Sequence, residues 1–126
     1  MNYLMDTHTL LWLMFRSELL SSKARTLAED AEHLYVSVVS MWEIAIKQSI
    51  GKLAISKSVT DIAHECLRQE IRLLDIKPEH CDKLKVLPLI HGDPFDRMIV
   101  AQAVVGEMTV ISKDTEISRY PVSCVW

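Results

Sequence analysis

The sequence predicts an α/β fold: a parallel sheet with helices on both faces. Three observations carry this reading. Short apolar runs of strand length recur along the chain, and helical stretches separate them, as in proteins built from βαβ units. Several of those runs are apolar throughout instead of alternating, which marks strands covered on both sides. Finally, 126 residues that are 49% hydrophobic, 6% aromatic and hold only 3 Gly and 4 Pro suit an aliphatic, helix-rich core. They do not suit an all-β fold full of tight turns. Residues 1–126 read as one domain, with no linker, internal repeat or low-complexity segment.

The elements follow in order. Asn2–Met5 is an apolar strand, and Asp6-Thr7 is a helix-start signal before the apolar stretch 10–15. Ser21-Ser22 opens a second helical stretch to about Glu32. Leu34–Val39, apolar and largely β-branched, reads as a buried strand, and Ser40 as the cap of a helix through about Ile50. Gly51 then ends that helix. Ser58 to about Glu70 is helical, Ile71–Leu74 a short strand, and Pro78 the first residue of another helix. His91-Gly92-Asp93-Pro94 is a loop leading into a helix from about Pro94 to Val105. Met108–Ser112 is the next strand and Val122–Val125 a last edge strand.

The net charge of −3 opposes simple capture of nucleic acid by phosphate neutralisation, which usually calls for a basic protein. A chain of this charge that handles phosphates must gather its Lys and Arg on one surface or use bound cations, and we favour the second, with some help from the first. Lys47, Lys52 and Lys57 are candidates for such a face, although charge runs are commonly just solvated. Cys66, Cys81 and Cys124 form no C-x-x-C pair and read as reduced core residues of a cytoplasmic protein. The five histidines lack zinc-site spacing. We expect neither a signal peptide nor a membrane span: Asp6 and His8 interrupt the apolar stretch 3–15, and no uncharged run approaches 18 residues.

Two apolar strands run into an acid, at Tyr3-Leu4-Met5-Asp6 and at Val110-Ile111-Ser112-Lys113-Asp114. In a parallel sheet both acids lie at the carboxyl edge, where open α/β sheets bind ligands. Asp96, in the first turn of the helix before the second of these strands, should open toward the same edge. Glu43 lies one turn into the helix after Leu34–Val39, on the border of an apolar stripe formed by Val39, Trp42, Ile46 and Ile50. Four converging carboxylates repel one another, and a hard divalent cation such as Mg²⁺ or Mn²⁺ removes that penalty. The absence of a histidine ligand fits these ions better than Zn²⁺.

Each acid also has a purely structural role open to it. Asp6, Asp96 and Asp114 lie near helix starts, where Asp serves as a cap. Glu43 and Lys47 form an i,i+4 pair. Asp93, before Pro94, reads as a cap or turn residue more readily than as a ligand. Thr7, Ser37 and Ser40 offer hydroxyls to a phosphate or a water, with capping the competing role for Ser40. Arg97 can contact a phosphate backbone or pair with an acid, and Trp12 and Trp42 read as core or interface residues.

Four blocks together resemble the PIN-domain nucleases. They are Leu4-Met5-Asp6-Thr7-His8, Val36-Ser37-Val38-Val39-Ser40-Met41-Trp42-Glu43-Ile44-Ala45, His91-Gly92-Asp93-Pro94-Phe95-Asp96-Arg97 and Ser112-Lys113-Asp114. The similarity is greatest to the toxins of bacterial VapBC toxin–antitoxin pairs and covers essentially the whole chain. It implies a PIN domain, a Rossmann-like three-layer sandwich with a central parallel β-sheet flanked by helices. It also implies Mg²⁺- or Mn²⁺-dependent endoribonuclease activity, hydrolysing RNA through carboxylate-bound metal and an activated water. By the same resemblance the catalytic acids are Asp6, Glu43, Asp96 and Asp114. Metal ligation falls to Asp6, Asp96 and Asp114, and Thr7, Ser40, Arg97 and Ser112 support the site or contact RNA. Ser112 stands where the family often has Thr. The implied partners are an RNA substrate, a cognate antitoxin, and a second copy in a homodimer or a toxin–antitoxin hetero-oligomer.

A phosphoacceptor receiver domain has similar size and a parallel sheet. It needs paired acids after the first strand and an Asp ending the central one, whereas here a single acid follows the first strand and Leu34–Val39 runs into Ser40. The same residues also admit a catalytically silent PIN-fold binding module, a housekeeping nuclease without an antitoxin, or a nuclease whose substrate is DNA.

Overall fold

The computed structural model describes residues 1–126. Five strands form one sheet: β1 (Asn2–Met5), β2 (His33–Ser37), β3 (Ile71–Leu74), β4 (Thr109–Ile111) and β5 (Cys124–Val125). Their order is β3-β2-β1-β4-β5, and every pairing is parallel. Six helices connect them: α1 (Thr7–Phe15), α2 (Ser22–Asp30), α3 (Val38–Ser49), α4 (Val59–Arg68), α5 (Pro78–Val86) and α6 (Pro94–Gly106).

The chain starts in the centre of the sheet, builds outward through β2 and β3, then returns to lay β4 on the other side of β1. The strand order therefore reverses between β1 and β4. Connections from these two strands leave in opposite directions and open a crevice at their carboxyl ends. Met5 pairs with Ile111, so the residues that follow, Asp6 and Ser112, both emerge at this crevice.

Successive residues of a strand point to opposite faces, and both faces are covered here. Met5, Val36 and Ile111 enter one buried cluster with Leu10, Ile44 and Ile62. Leu4 and Val110 enter a second, with Val39, Ile99, Val100 and Ala103. Burial on both sides is why these strands read as uninterrupted apolar runs.

The elements occur in the expected order, with the fourth and fifth strands trimmed from 108–112 and 122–125 to Thr109–Ile111 and Cys124–Val125, and one junction is displaced. The sequence pattern carries the second strand through Val39 and caps the next helix with Ser40. In the structure the strand ends at Ser37, the helix begins at Val38, and Ser37 is its cap, accepting the Val39 N–H at 3.0 Å. Two valines in succession favour a strand. They are tolerated in the first turn of a helix because no preceding turn crowds their branched Cβ. Ser37→Ala is expected to destabilise the fold by about 1 kcal/mol, the usual cost of a lost N-cap, measured by denaturant unfolding. At the other end Gly51 takes φ 73, the left-handed conformation that stops the helix.

A second correction concerns the buried face of α3. Of the predicted stripe, Val39 is buried, but Trp42 and Ile50 are each 58% exposed. The inward side instead carries Ser40, Met41, Glu43 and Ile44. Periodicity locates apolar faces but does not register a polar partner, and here Thr7 of α1 and Lys47 satisfy the buried carboxylate. The cysteines also divide: Cys66 is buried, Cys124 is half-buried and Cys81 is exposed, so only the first is a core residue.

Candidate active site

Asp6 follows β1 and caps α1. Its Oδ1 accepts the Thr9 N–H at 2.9 Å, and its Oδ2 accepts the Ser112 hydroxyl at 2.5 Å. Ser112 in turn accepts the Asp114 N–H at 3.0 Å. One buried hydroxyl thus ties the end of β1 to the loop after β4. Asp114 Oδ1 then accepts the Glu116 N–H at 2.8 Å, which sets the turn that carries it. The short polar side chain at 112 links two of the acids.

Asp96 is presented from the first turn of α6. Asp93, not Asp96, caps this helix, accepting the Phe95 and Asp96 N–H groups at 2.9 and 3.0 Å. Pro94 at the first helical position has no N–H to satisfy. Asp93 therefore takes the role of a cap, and the Asp96 carboxyl is left free to face the crevice. Burial pushes that carboxyl from an ordinary 3.8 up to about 7, aided by the negative charges of Asp93, Asp6 and Asp114 and partly offset by His91. Asp6 and Asp114 also act, after burial, to raise the Cys124 thiol. The structure thus brings Asp6, Asp96 and Asp114 within electrostatic reach of one another.

Glu43 is held differently. It is 3% exposed, and Lys47 Nζ donates to its Oε2 at 2.6 Å. Thr7 Oγ1 lies 2.7 Å from Glu43 Oε1 and 2.9 Å from Ser40 Oγ. A hydroxyl has one proton: Thr7 donates to the carboxylate and accepts from Ser40. The i,i+4 pair foreseen from sequence is present, but buried on one side instead of solvated. Replacing Thr7 by Val keeps the shape and removes the hydroxyl. We expect a loss of about 1–3 kcal/mol in denaturant unfolding, because Glu43 Oε1 is left without its donor.

Arg97 departs from the role expected of it. It is buried, and its guanidinium donates to the carbonyls of Pro88 (2.9 Å) and Leu84 (3.3 Å) and to the Tyr120 hydroxyl (3.1 Å). Those bonds fasten the loop between α5 and α6 and leave it neither facing an RNA backbone nor paired with an acid. Lys47 is drawn in to Glu43, so of the three proposed basic residues only Lys52 and Lys57 stand free on the surface. Trp42 packs edge-on to Phe95 at 5.2 Å with most of its surface exposed.

Sequence spacing passes over His91. Its Nε2 lies 3.4 Å from Asp96 Oδ2, and its Nδ1 lies 2.7 Å from the Tyr120 hydroxyl. One ligand atom from each of His91, Asp96 and Asp114 falls in a group whose members are all within 4.8 Å of one another. Histidine spacing could not find this, because the partners come from other elements. The available signal was the position of His91 in the same block as Asp96. An open cleft of about 420 Å³ fronts the site, lined by Asp6, His8, Trp12, Lys113, Asp114 and Thr115.

These donors fit a divalent cation. Asp96 and Asp114 lie with His91 in one close group, and Asp6, bonded to Ser112, stands outside it but within electrostatic reach. Lys or Arg bonds to none of the three acids, in contrast to Glu43. The Asp96 carboxyl, pushed up to about 7 by burial and further by its neighbouring acids, would ionise more readily beside a bound cation. The carboxylates suit Mg²⁺ or Mn²⁺, but His91 beside Asp96 and Asp114 removes the lack of a histidine ligand as a reason to set Zn²⁺ aside.

A central β1, acids at the reversal of strand order and a fully parallel five-stranded sheet define the class. The PIN domain family model matches residues 3–122, and the chain belongs to the PIN-domain family. Among individual proteins it is similar to Ribonuclease VapC22 of Mycobacterium tuberculosis, 27% identical over 118 residues that cover 93% of this chain and 90% of that protein. Solved structures of the same fold include VapBC2 from Rickettsia felis bound to a DNA fragment from its promoter. That match has a TM-score of 0.74 at 13% identity and covers 99% of this chain and 98% of that one. FitAcB from Neisseria gonorrhoeae matches with a TM-score of 0.66 at 18% identity, covering 98% and 96%. A toxin–antitoxin complex from Klebsiella pneumoniae matches with a TM-score of 0.65 at 14% identity, covering 98% and 96%.

Proposed function

We propose that this chain is a Mg²⁺- or Mn²⁺-dependent endoribonuclease acting as the toxin of a type II, VapBC-like toxin–antitoxin pair. The observation that carries the reading is the gathering of Asp96 and Asp114, with Asp6 beside them, at the sheet's switch point, with Asp96 raised to about 7 and no Lys or Arg bonded to any of the three. A relative named as a ribonuclease and fold relatives described as toxin–antitoxin complexes support the substrate class and the partner.

Asp6, Asp96 and Asp114 would hold the cation. When bound, it would supply positive charge against a phosphodiester and lower the pKa of water there. Ser112 orients Asp6, Asp93 positions Asp96 by capping α6, and Thr7 with Ser40 holds Glu43 at the rim. The antitoxin has a natural seat beside the cleft. An apolar groove of about 540 Å³ runs between α1 and the loop before α4, lined by Leu11, Trp12, Phe15, Leu19, Leu53 and Ile55. Trp12 borders both the groove and the acidic cleft, so a segment lying in one reaches the other. We place the protein in the cytoplasm, in agreement with its three unpaired thiols, and expect it as a homodimer or bound to antitoxin. No helix is long and apolar enough to cross a membrane.

The test is cleavage by purified chain stripped of any antitoxin, on transfer RNA and other structured RNAs. Cleavage with Mg²⁺ or Mn²⁺, abolished by EDTA and restored by the metal, is the expected result. If no RNA is cut under any metal, the silent binding module takes its place; equal cutting of DNA would overturn the substrate class.

A further inference from the structure

His91 stands outside the four acids, in the loop before α6, and its ring is held between the acids and a buried pair behind it. Tyr120 is 3% exposed and Arg97 8% exposed, so the phenol and guanidinium behind the ring are both buried. The guanidinium is itself fixed by the carbonyls of Leu84 and Pro88, and it donates to the Tyr120 oxygen at 3.1 Å. That oxygen lies 2.7 Å from His91 Nδ1. The imidazole is therefore anchored from behind through Nδ1, with Nε2 aimed at the acids.

Nε2 reaches Asp96 Oδ2 at 3.4 Å, a long hydrogen bond, and one ligand atom each of His91, Asp96 and Asp114 lie within 4.8 Å of one another. Metal-bound histidines characteristically donate their second ring N–H to a fixed acceptor, which sets the tautomer and aims the ring. The Tyr120 oxygen, positioned by Arg97, is such an acceptor. We propose that His91 Nε2 is a nitrogen ligand of the divalent cation shared with Asp96 and Asp114, held in place by the buried Tyr120–Arg97 pair. This inference rests on the metal-dependent reading of the site and assigns it a mixed nitrogen–oxygen donor set. An imidazole ligand favours Mn²⁺ over Mg²⁺, because Mg²⁺ is the harder cation and takes oxygen donors almost exclusively.

The experiment is pulsed EPR of the full-length, metal-stripped chain loaded with Mn²⁺ alone. Bound Mn²⁺ should show the ¹⁴N modulation of a directly coordinated imidazole, replaced by a ¹⁵N pattern in protein grown on ¹⁵N-histidine. His91→Gln should abolish the coupling and weaken Mn²⁺ binding about tenfold or more, with a smaller effect on Mg²⁺. His8→Gln, altering the histidine that lines the same cleft, should leave the coupling intact. Tyr120→Phe should retain the coupling but weaken Mn²⁺ binding by about 10–100-fold, as loss of a supporting partner does. Tightly bound Mn²⁺ with no nitrogen coupling in the wild type overturns the ligation and leaves the metal reading standing. Coupling that survives His91→Gln or disappears in His8→Gln also overturns it. An unchanged Tyr120→Phe overturns the positioning role. Failure of the wild type to bind Mn²⁺ at all removes the metal reading and this inference with it. The ¹⁵N-labelled wild type decides the presence of a histidine ligand even if a variant does not fold.

Discussion

Asp6→Asn is expected to lower RNA cleavage by at least about 100-fold, equivalent to about 2.7 kcal/mol of barrier. It should do so without unfolding the protein. Asp6 has two jobs, as the cap of α1 and as an acid in the crevice. Asparagine caps a helix about as well as aspartate, so the Thr9 N–H keeps its acceptor. What is lost is one negative charge beside Asp96 and an anionic oxygen for the cation. The melting temperature measured without metal should therefore hold or rise as activity collapses, because repulsion among the acids is relieved. A variant that melts lower and loses activity in proportion would make Asp6 a structural residue. Unchanged cleavage would remove it from the site.

The second large effect is a dependence of stability on pH that metal reverses. The Asp96 carboxyl is raised from 3.8 to about 7, so the folded chain keeps a proton there that the unfolded chain releases. Between about pH 4 and pH 7 the folded state binds more protons at this group than the unfolded state does, and stability falls as pH rises through that window. Above about 7 the penalty is fully in place. A cation holding the ionised carboxylates acts in the opposite sense and displaces the proton. Mg²⁺ or Mn²⁺ should stabilise little at about pH 5.5 and strongly at about pH 8. At one hundred times its dissociation constant the gain is about 2.7 kcal/mol, or on the order of 10 °C for a chain of this size. Thermal melts across roughly pH 5.5–8.5, with EDTA and with each metal, measure this directly. Asp96→Asn should flatten the apo profile and abolish the metal shift. A metal shift that is the same at both ends of that range would detach the cation from Asp96.

Much of the fold was legible because local chemistry and tertiary position agree. Asp6, Ser58, Pro78 and Gly51 all mark helix boundaries that the structure keeps, and each acts through bonds within a few residues of itself. The apolar strands were legible because both sheet faces are covered. The Ser37–Ser40 junction was not, since either serine is a competent cap, and sheet register decides which one lies at the strand end. The buried side of α3 was misread for a related reason: the partner that makes burial of Glu43 tolerable, Thr7, is 36 residues away.

The candidate site divides along the same line. Acids placed directly after a strand, Asp6 and Asp114, were legible, because a parallel sheet sends every strand end to one edge. Asp96 joined them through the helix start that Asp93 caps. His91, Tyr120 and the inward turn of Arg97 were not legible, because no spacing along the chain relates residues 91, 97 and 120.

By itself the sequence determined that this protein is a parallel α/β sheet with carboxylates at its carboxyl edge. Strand periodicity, caps and turns are local, and local interactions are written residue by residue. Only the tertiary structure decided how those charges are held: Glu43 paired with Lys47 and hydrogen-bonded by Thr7, the Asp96 carboxyl raised by burial and its neighbouring acids, and His91 aimed at it by a buried phenol. Charge acts through space and desolvation through burial, and neither is defined until the chain has closed around the site.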